Sequence, residues 1–238
     1  MLPVAILAGG LGTRLHPVTT TLPKSLVEVN GEPFVVHQLR LLRKRQIERV
    51  VLCVGYRGEM IRDSVGDGRA WGLHVDYAFD GSTLLGTGGA IRNALPLLGE
   101  AFFVLYGDSY LPCDYGAVEK VFTESRRQGL MTVFRNEGRW DRSNARFENG
   151  VVVAYDKKYP TAEMHYIDYG LGAFRSSVFE AISDGVNCDL AAVYQDLLRR
   201  GQLAGYEVKE RFYEIGSPEG HRDTARFLAR QTGEGYGG

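Results

Sequence analysis

Near its start the chain reads Val4-Ala5-Ile6-Leu7-Ala8-Gly9-Gly10-Leu11-Gly12-Thr13-Arg14-Leu15. The apolar run at 4–7, ended by glycines, is typical of a strand buried on both faces. Glycines directly after such a strand expose backbone N–H groups that can bind an anion, and Arg14 and Lys24 would add positive charge. The pattern G-x-x-x-x-G-K-S/T is absent, and Leu15 stands where the dinucleotide motif G-x-G-x-x-G needs its last glycine. The stretch therefore predicts a phosphate-binding loop of another kind.

The rest of the first half alternates short apolar runs with helical patterns. Strands are predicted at 4–7, 50–54, 73–77 and 102–106, and helices after Pro33, across Met60 and Ile61, and across Ile91 and Leu95. Such alternation indicates an α/β fold with a mostly parallel sheet covered by helices on both faces. Ligands of these sheets bind beyond the carboxyl ends of the strands. Three unusual loops, 9–13, 81–89 and 107–110, are expected there.

The second half is less regular. Helices are predicted after the N-caps Asp114 and Asp189 and from Ser217-Pro218 onward, and strands at 130–134, 151–155 and 167–174. Internal repeats and low-complexity linkers are absent from the sequence, so we expect a single domain over residues 1–231. The glycine-rich end, 232–238, is expected to be disordered.

Composition excludes several classes of protein. Lys plus Arg number 28 and Asp plus Glu 29, a net charge of -1, so no overall positive field would attract nucleic acid or an anionic membrane. Cys53, Cys113 and Cys188 are scattered, which favours unpaired thiols over disulfides or structural zinc. The start lacks the pattern of a signal peptide, and no run of about 18 apolar residues is free of charge. We therefore expect a soluble, cytoplasmic protein.

The glycine-rich stretch 9–15, followed by Pro17, Thr19 and Pro23-Lys24, resembles the signature of sugar-1-phosphate nucleotidylyltransferases. Further marks in the same order extend the resemblance over nearly the whole chain. It implies a Rossmann-like, GT-A-like nucleotidylyltransferase fold, with a nucleotide-binding part at about 1–112 and a sugar-binding part at about 113–231. It also implies transfer of a nucleoside monophosphate from a triphosphate to a sugar 1-phosphate, releasing pyrophosphate.

For the nucleotide, the resemblance implies roles for residues of two loops. Arg14 and the loop amides would hold the β and γ phosphates, Lys24 the reacting phosphates, and the backbone near Leu7 and Ala8 would face the base. The second glycine loop, 84–90, would lie against base and sugar. The implied nucleotide-binding residues are Leu7, Ala8, Gly9, Gly10, Gly12, Thr13, Arg14 and Gly86, and the catalytic residues are Arg14, Lys24 and Asp108.

Two carboxylates are candidates for a magnesium site. Asp108 follows an apolar run and a glycine, and a carboxylate beside a bound triphosphate is electrostatically favourable only with a metal ion. The resembled family uses this aspartate for Mg²⁺. An ordinary Gly-Asp turn is the alternative. Glu214 stands where the family more often has Asp as a second ligand, and its longer side chain would shift the ion or bind it through water.

The sugar 1-phosphate has its own set of candidates by the same resemblance. Lys157 would hold its phosphate, Asp156 a hydroxyl, and the second glycine loop would contribute Gly88. Asp168 would either bind sugar hydroxyls or cap a turn of its strand. The neighbouring Lys158 is expected to be a solvated side chain.

Among the branches of the family, heptose-1-phosphate guanylyltransferases of cell-surface polysaccharide pathways are the most similar in appearance. Guanylyl transfer to a heptose or mannose-type sugar 1-phosphate is therefore the first expectation. Uridylyl or thymidylyl transfer to a hexose or amino-sugar 1-phosphate, as in the N-acetylmuramate-1-phosphate enzymes, is the alternative. Cytidylyl transfer to a non-sugar phosphate and a non-catalytic sugar-nucleotide-binding paralogue are weaker ones. The expected partners are the triphosphate and the sugar 1-phosphate, without nucleic acid or membrane, and the chain would be a monomer or homodimer.

Overall fold

The fold is that of a computed structural model, which describes residues 1–10, 12, 21–81 and 83–233. The described strands are β1 (Val4–Leu7), β2 (Glu28–Val29), β3 (Glu32–Pro33), β4 (Arg49–Val54), β5 (His74–Phe79), β6 (Ala101–Tyr106), β7 (Ser109–Tyr110), β8 (Gly129–Arg135), β9 (Ala145–Glu148), β10 (Val151–Tyr155), β11 (Tyr166–Arg175), β12 (Leu203–Val208) and β13 (Tyr213–Glu214). The described helices are α1 (Phe34–Lys44), α2 (Gly58–Val65), α3 (Gly86–Leu98), α4 (Tyr115–Ser125), α5 (Ser177–Glu180), α6 (Leu190–Arg199) and α7 (Pro218–Gly233).

Nine of the strands in the described part of the chain form one mixed sheet, in the order β10-β9-β11-β6-β1-β4-β5, with β8 beside β11 and β12 beside β8. Strands β5, β4, β1 and β6 run parallel to one another, whereas β11 is antiparallel to β6. The predicted fold class, a mostly parallel mixed sheet flanked by helices, is thereby confirmed. The sheet also runs without interruption from the first half of the chain into the second.

Alternation along the strands explains the two helical layers. Val4 and Ile6 of β1 belong to one buried cluster with Leu39 of α1 and residues of α2 and α4. Ala5 belongs to a second cluster with Ile91 of α3 and residues of α6. Because successive side chains of a strand point to opposite faces, a run that is apolar throughout needs helices on both sides.

A two-stranded sheet brings the end of the chain to the main strands. In it β13 pairs antiparallel with β7, so that Glu214 is opposite Ser109. The backbone N–H of Ile215 donates to the carbonyl of Asp108 at 2.9 Å. Residues more than a hundred positions apart thereby meet beside the end of β6.

Several local predictions are confirmed. The Asp114 and Asp189 side chains cap α4 and α6 by accepting from backbone N–H groups at 3.0 and 2.9 Å, and Pro218 is the first residue of α7. Strands β9 and β12 were not predicted. Helix α7 reaches Gly233, two residues into the segment expected to be disordered, and the remainder of that segment, 234–238, lies outside the described residues. Among the residues that the structure describes, no helix is both long and apolar enough to span a membrane.

Candidate active site

A cavity of about 350 Å³ lies at the carboxyl ends of the parallel strands. The predicted nucleotide-side residues that line it are Leu7, Ala8, Gly9, Gly10, Gly12, Lys24, Gly86 and Asp108. The other two, Thr13 and Arg14, lie outside the described residues. The cavity is thus where the rule for parallel sheets predicts a ligand, and it joins the first and second glycine loops.

Close backbone contact between β1 and β6 forms the floor of this cavity. The N–H of Gly107 donates to the carbonyl of Leu7 at 3.1 Å, and the N–H of Ala8 donates to that of Cys53 at 2.8 Å. A β-carbon on residue 107 would lie 2.4 Å from the Leu7 carbonyl oxygen. Only glycine fits at that position without moving the strands, which accounts for the glycine before Asp108.

An ion pair occupies the charged end of the cavity. Lys24 Nζ lies 2.5 Å from Asp108 Oδ2, and their side chains are 15% and 29% exposed. Lys24 projects from the 3-10 turn Lys24–Leu26, and the Ser109 hydroxyl donates to the other carboxylate oxygen at 3.3 Å. The partial burial of both groups reduces solvent screening of their attraction. The structure thus brings together two of the three residues predicted to be catalytic.

Gln38 of α1 supports the same turn and was not predicted from the sequence. Its side chain is 1% exposed, and its amide nitrogen donates to the carbonyls of Tyr106 and Ser109 at 3.2 and 2.8 Å. These two carbonyls flank Gly107-Asp108. A buried amide between them therefore fixes the backbone from which Asp108 projects.

The carboxylate of Asp108 fits the way proteins bind magnesium to nucleotides. Mg²⁺ usually takes one or two carboxylates and completes its shell with phosphates and water. Asp108 lines the cavity beside a lysine, and the described residues contain no cluster of three or more His, Cys, Asp or Glu that would hold a metal by themselves. Such a site is suited to a metal that arrives with its phosphate ligand.

The other predicted metal ligand, Glu214, is oriented differently. Its carboxylate accepts from the Gly216 N–H and from the Ser217 hydroxyl, the latter at 2.6 Å, at the start of α7. It lines a separate cavity of about 140 Å³ together with Arg211 and Tyr213. A carboxylate at a helix N-terminus is electrostatically favourable. Metal binding by Glu214 stays a prediction.

Tyr106, at the end of β6, connects the nucleotide cavity with the predicted sugar residues. It lines the cavity, Lys157 Nζ lies 5.1 Å from its ring centre, and its hydroxyl donates to Asp168 at 3.4 Å. The Tyr155 hydroxyl donates to the same carboxylate oxygen at 3.5 Å, and the Gly170 N–H to the other at 3.0 Å. Lys157 and Asp168 are therefore grouped at one side of the cavity.

Burial dominates the electrostatics of this group. It raises the pKa of Asp168 above its ordinary value, and the positive charge of Lys157 acts in the opposite direction. It also raises the pKa of Tyr106, and the nearby Asp168 carboxylate adds to that effect. The hydroxyl of Tyr106 is consequently a donor throughout the ordinary pH range.

The two remaining sugar-side candidates have local partners. Asp156 accepts from the backbone N–H groups of Lys158 and Tyr159, both at 2.8 Å, which is an ordinary turn stabilised by an aspartate. Gly88 is buried in the first turn of α3, where its N–H donates to the carbonyl of Cys188 at 2.8 Å. The sugar-binding roles of both residues stay predictions.

One acidic residue of the cavity was not predicted. Asp80 follows β5 directly and lines the cavity, and its Oδ2 accepts from the Leu85 N–H at 3.3 Å. Burial raises the pKa of this carboxyl group, and the Leu85 hydrogen bond acts in the opposite direction. The signal in the sequence was a charged residue at the end of a strand before an unusual loop, the same signal that indicated Asp108.

A cavity lined by glycines, with a half-buried lysine beside a carboxylate at the ends of parallel strands, suits a ligand that carries phosphates. Among α/β folds, such a cavity is typical of proteins that bind nucleotides or other phosphate esters. The chain belongs to the nucleotidyl transferase family, whose pattern it matches over residues 4–231.

Individual relatives are distant but aligned over most of their length. The chain is 26% identical over 227 residues to the N-acetylmuramate alpha-1-phosphate uridylyltransferase of Neisseria meningitidis serogroup B, covering 89% of the chain and 92% of that protein. It is 26% identical over 214 residues to the D-glycero-alpha-D-manno-heptose 1-phosphate guanylyltransferase of Campylobacter jejuni, covering 90% and 94%. The crystal structure of HddC from Yersinia pseudotuberculosis complexed with GMP-PN is 26% identical, with a TM-score of 0.79 over 96% of the chain and 100% of HddC. Together these matches support a sugar-1-phosphate nucleotidyltransferase.

Proposed function

We propose that the protein transfers guanosine monophosphate from GTP to a heptose or mannose-type sugar 1-phosphate, giving a nucleotide sugar and pyrophosphate. The arrangement of charges supports the transfer reaction, and the guanylyltransferases among the relatives favour this base and these sugars. The Lys24–Asp108 pair lies at one wall of the cavity, and the Lys157–Asp168 group lies behind Tyr106, at the same end of β6. Two phosphate esters could thus be held on either side of one tyrosine.

The chemistry follows from the charges. A phosphate oxygen of the sugar 1-phosphate attacks the α-phosphate of the triphosphate, and the bond from that phosphorus to the bridging oxygen of pyrophosphate breaks. Because a phosphate dianion is already a nucleophile, no general base is required. Catalysis then depends on positioning and on neutralising charge, for which Lys24, Lys157 and the predicted Arg14 are suited.

Magnesium is part of the proposal. Asp108 would hold the ion, which when bound neutralises charge on the triphosphate. Lys24 would remain beside the carboxylate and contact the phosphate oxygens as a point charge. Loss of either side chain should therefore impair the use of the triphosphate.

The cysteines indicate the compartment in which the reaction takes place. The described cysteines, two of them buried, are unpaired, which is typical of a reducing compartment, and we place the enzyme in the cytoplasm. A role in cell-surface polysaccharide synthesis, as monomer or homodimer, remains our proposal. Uridylyl or thymidylyl transfer to a hexose or amino-sugar 1-phosphate is the second candidate, since a uridylyltransferase is among the relatives.

A screen of pyrophosphate release would test the reaction. The purified chain is given each common nucleoside triphosphate with each of a panel of sugar 1-phosphates, with Mg²⁺ and after chelation. We expect release that depends on both substrates and on the metal. Lys24→Ala should abolish most of it, whereas Lys44→Ala, which removes an exposed lysine at the end of α1, should not. If the folded protein releases no pyrophosphate with any pair of substrates, the proposal is refuted.

A further inference from the structure

The nucleotide cavity has two chemically different ends. Phosphates are expected at the end where Lys24 pairs with Asp108, the candidate metal ligand, beside the end of β6. The opposite wall, at the ends of β4 and β5, is formed by Cys53, Leu84 and Asp80. Strands β5 and β6 are separated by β4 and β1, so at about 4.8 Å per strand these walls are roughly 14 Å apart. With its phosphates beside Lys24, a triphosphate would extend its base across these strands toward Asp80.

The Asp80 carboxylate lies in a space that glycines keep open. A β-carbon on Gly55 would lie 3.1 Å from Asp80 Oδ2 and 2.7 Å from a methyl group of Leu84, and one on Gly9 would lie 3.4 Å from the same oxygen. Larger residues at these two positions would press on the carboxylate. The chain thus carries glycine after both β1 and β4, two neighbouring strands, where it passes Asp80.

Only one of the two oxygens of the Asp80 carboxylate accepts a hydrogen bond from the described residues. Its Oδ2 accepts from the Leu85 N–H at 3.3 Å, which orients the group. Its Oδ1 is buried and has no hydrogen-bond partner within 1–10, 12, 21–81 and 83–233. A buried acceptor without a donor is costly, and such atoms call for an explanation such as a missing ligand. Leu84, 36% exposed, lies beside the group, and its side chain would move to admit a donor.

We propose that Asp80 makes the enzyme specific for guanine by accepting hydrogen bonds from the ring N1–H and the 2-amino group of the base. Guanine presents these two donors side by side, and a carboxylate offers two acceptors at matching spacing. Uracil and thymine place a carbonyl on each side of their single N–H, and adenine and cytosine place a ring acceptor beside their amino group. Each of these bases would bring an oxygen or nitrogen lone pair against the carboxylate.

This inference deepens the proposed function and is tested separately from it, by calorimetric titration of nucleotides without any sugar phosphate. The probes are GTP, inosine triphosphate, which lacks the 2-amino group, xanthosine triphosphate, which has a carbonyl there, and UTP. The native chain should bind GTP about 10- to 100-fold more tightly than inosine triphosphate, as one charge-assisted hydrogen bond predicts. It should bind xanthosine triphosphate and UTP more weakly still.

Two variants of Asp80 make the test specific. Asp80→Asn exchanges one acceptor for a donor, so it should lose affinity for GTP and gain affinity for xanthosine triphosphate, each by about 10-fold or more. Asp80→Ala should bind GTP and inosine triphosphate equally. Asp76→Asn, on β5 just before Asp80 but paired with His74, is the matched control and should bind all four nucleotides as the native chain does. Thermal unfolding of each variant verifies that it folds.

The outcomes separate the two proposals. An unchanged nucleotide profile in Asp80→Asn, or tighter binding of UTP than GTP by the native chain, would overturn the role of Asp80 while leaving nucleotidyl transfer intact. Guanine-selective binding that Asp80→Asn inverts would establish that role. It would do so even if no sugar 1-phosphate gave pyrophosphate release, in which case the proposed reaction alone would fail.

Discussion

Replacement of Gly107 by alanine should both destabilise the protein and slow the reaction. The added β-carbon would lie 2.4 Å from the Leu7 carbonyl oxygen, whereas ordinary contacts begin at 3.4 Å, so the ends of β1 and β6 must separate by about 1 Å. Overpacking of this kind costs about 1–3 kcal/mol. The Gly107 N–H to Leu7 hydrogen bond, 3.1 Å long, would be stretched as well. For a chain of this size we expect Tm to fall by roughly 2–12 °C.

Activity should fall as well, by about 2.7 kcal/mol of activation free energy, which is comparable to the loss of stability. Asp108 follows Gly107 directly, and a displacement of about 1 Å in a positioned group costs on the order of 10²-fold in rate. Thermal unfolding and kcat for pyrophosphate release measure the two effects. Gly10→Ala is the control for stability, because its β-carbon would meet no described atom within 4 Å, and its Tm should stay within about 2 °C. If Gly107→Ala has the Tm and the kcat of the native chain, the close contact between Gly107 and Leu7 does not position Asp108.

Three further predictions concern charged side chains. Asp108→Asn should keep the fold but lower Mg²⁺-dependent pyrophosphate release by at least ~10²-fold, since it removes the proposed metal ligand and the partner of Lys24; normal kcat over a magnesium titration would remove Asp108 from the reaction. Lys157→Ala should raise KM for the sugar 1-phosphate and lower kcat, at a cost of about 1.5–3 kcal/mol, without altering calorimetric binding of the triphosphate; the exposed neighbour Lys158→Ala is the control, and damage there instead would show that the two lysines have exchanged roles. Burial raises the pKa of Asp168 above 3.8, so the folded state holds the proton of this carboxyl group more tightly than the unfolded chain does. The free energy of unfolding should therefore fall as pH rises from the pKa of the unfolded chain through the raised pKa of the folded state. Denaturant titrations should show a smaller fall in Asp168→Asn, and an equal dependence on pH in the two proteins would contradict the assignment.

The first half of the fold was predictable because β1, β4 and β6 are buried on both faces, whereas β5 was recognised by alternation of apolar residues. A strand such as 4–7 must then be apolar at every position, and the helices between the strands carry their own apolar stripe. Strands β9 and β12 lack that signature. β9 carries Arg146 and Glu148, which pair with each other, and β12 contains Gly205, whose missing side chain makes room for the ring of Phe147. A glycine inside a strand is a breaker in the sequence and a packing requirement in the structure.

The residues that line the cavity were predictable where a motif is continuous along the chain, and side-chain orientations were not predictable where they depend on distant partners. The lysine and aspartate of the cavity wall each follow a short local pattern, Pro23-Lys24 and Gly107-Asp108. The orientation of Glu214 depends on residues at the start of α7, because its carboxylate accepts hydrogen bonds from the Gly216 N–H and the Ser217 hydroxyl. The role of Gln38 depends on the packing of α1 against the turn after β6. The periodicity of α1 identifies its apolar face but not the carbonyls to which Gln38 donates.

Strand order, which the sequence does not reveal, determines what each end of the cavity can distinguish. Every nucleoside triphosphate carries the same phosphates, so the contacts of Lys24 and Asp108 at the end of β6 supply binding energy but no choice of base. Every sugar 1-phosphate likewise shares the group that Lys157 would hold. Selection between bases therefore has to come from the far side of β1 and β4, where β5 ends. Among the described residues that line the cavity at that side, Asp80 is the one with a charge, and its carboxylate is complementary to one of the common bases.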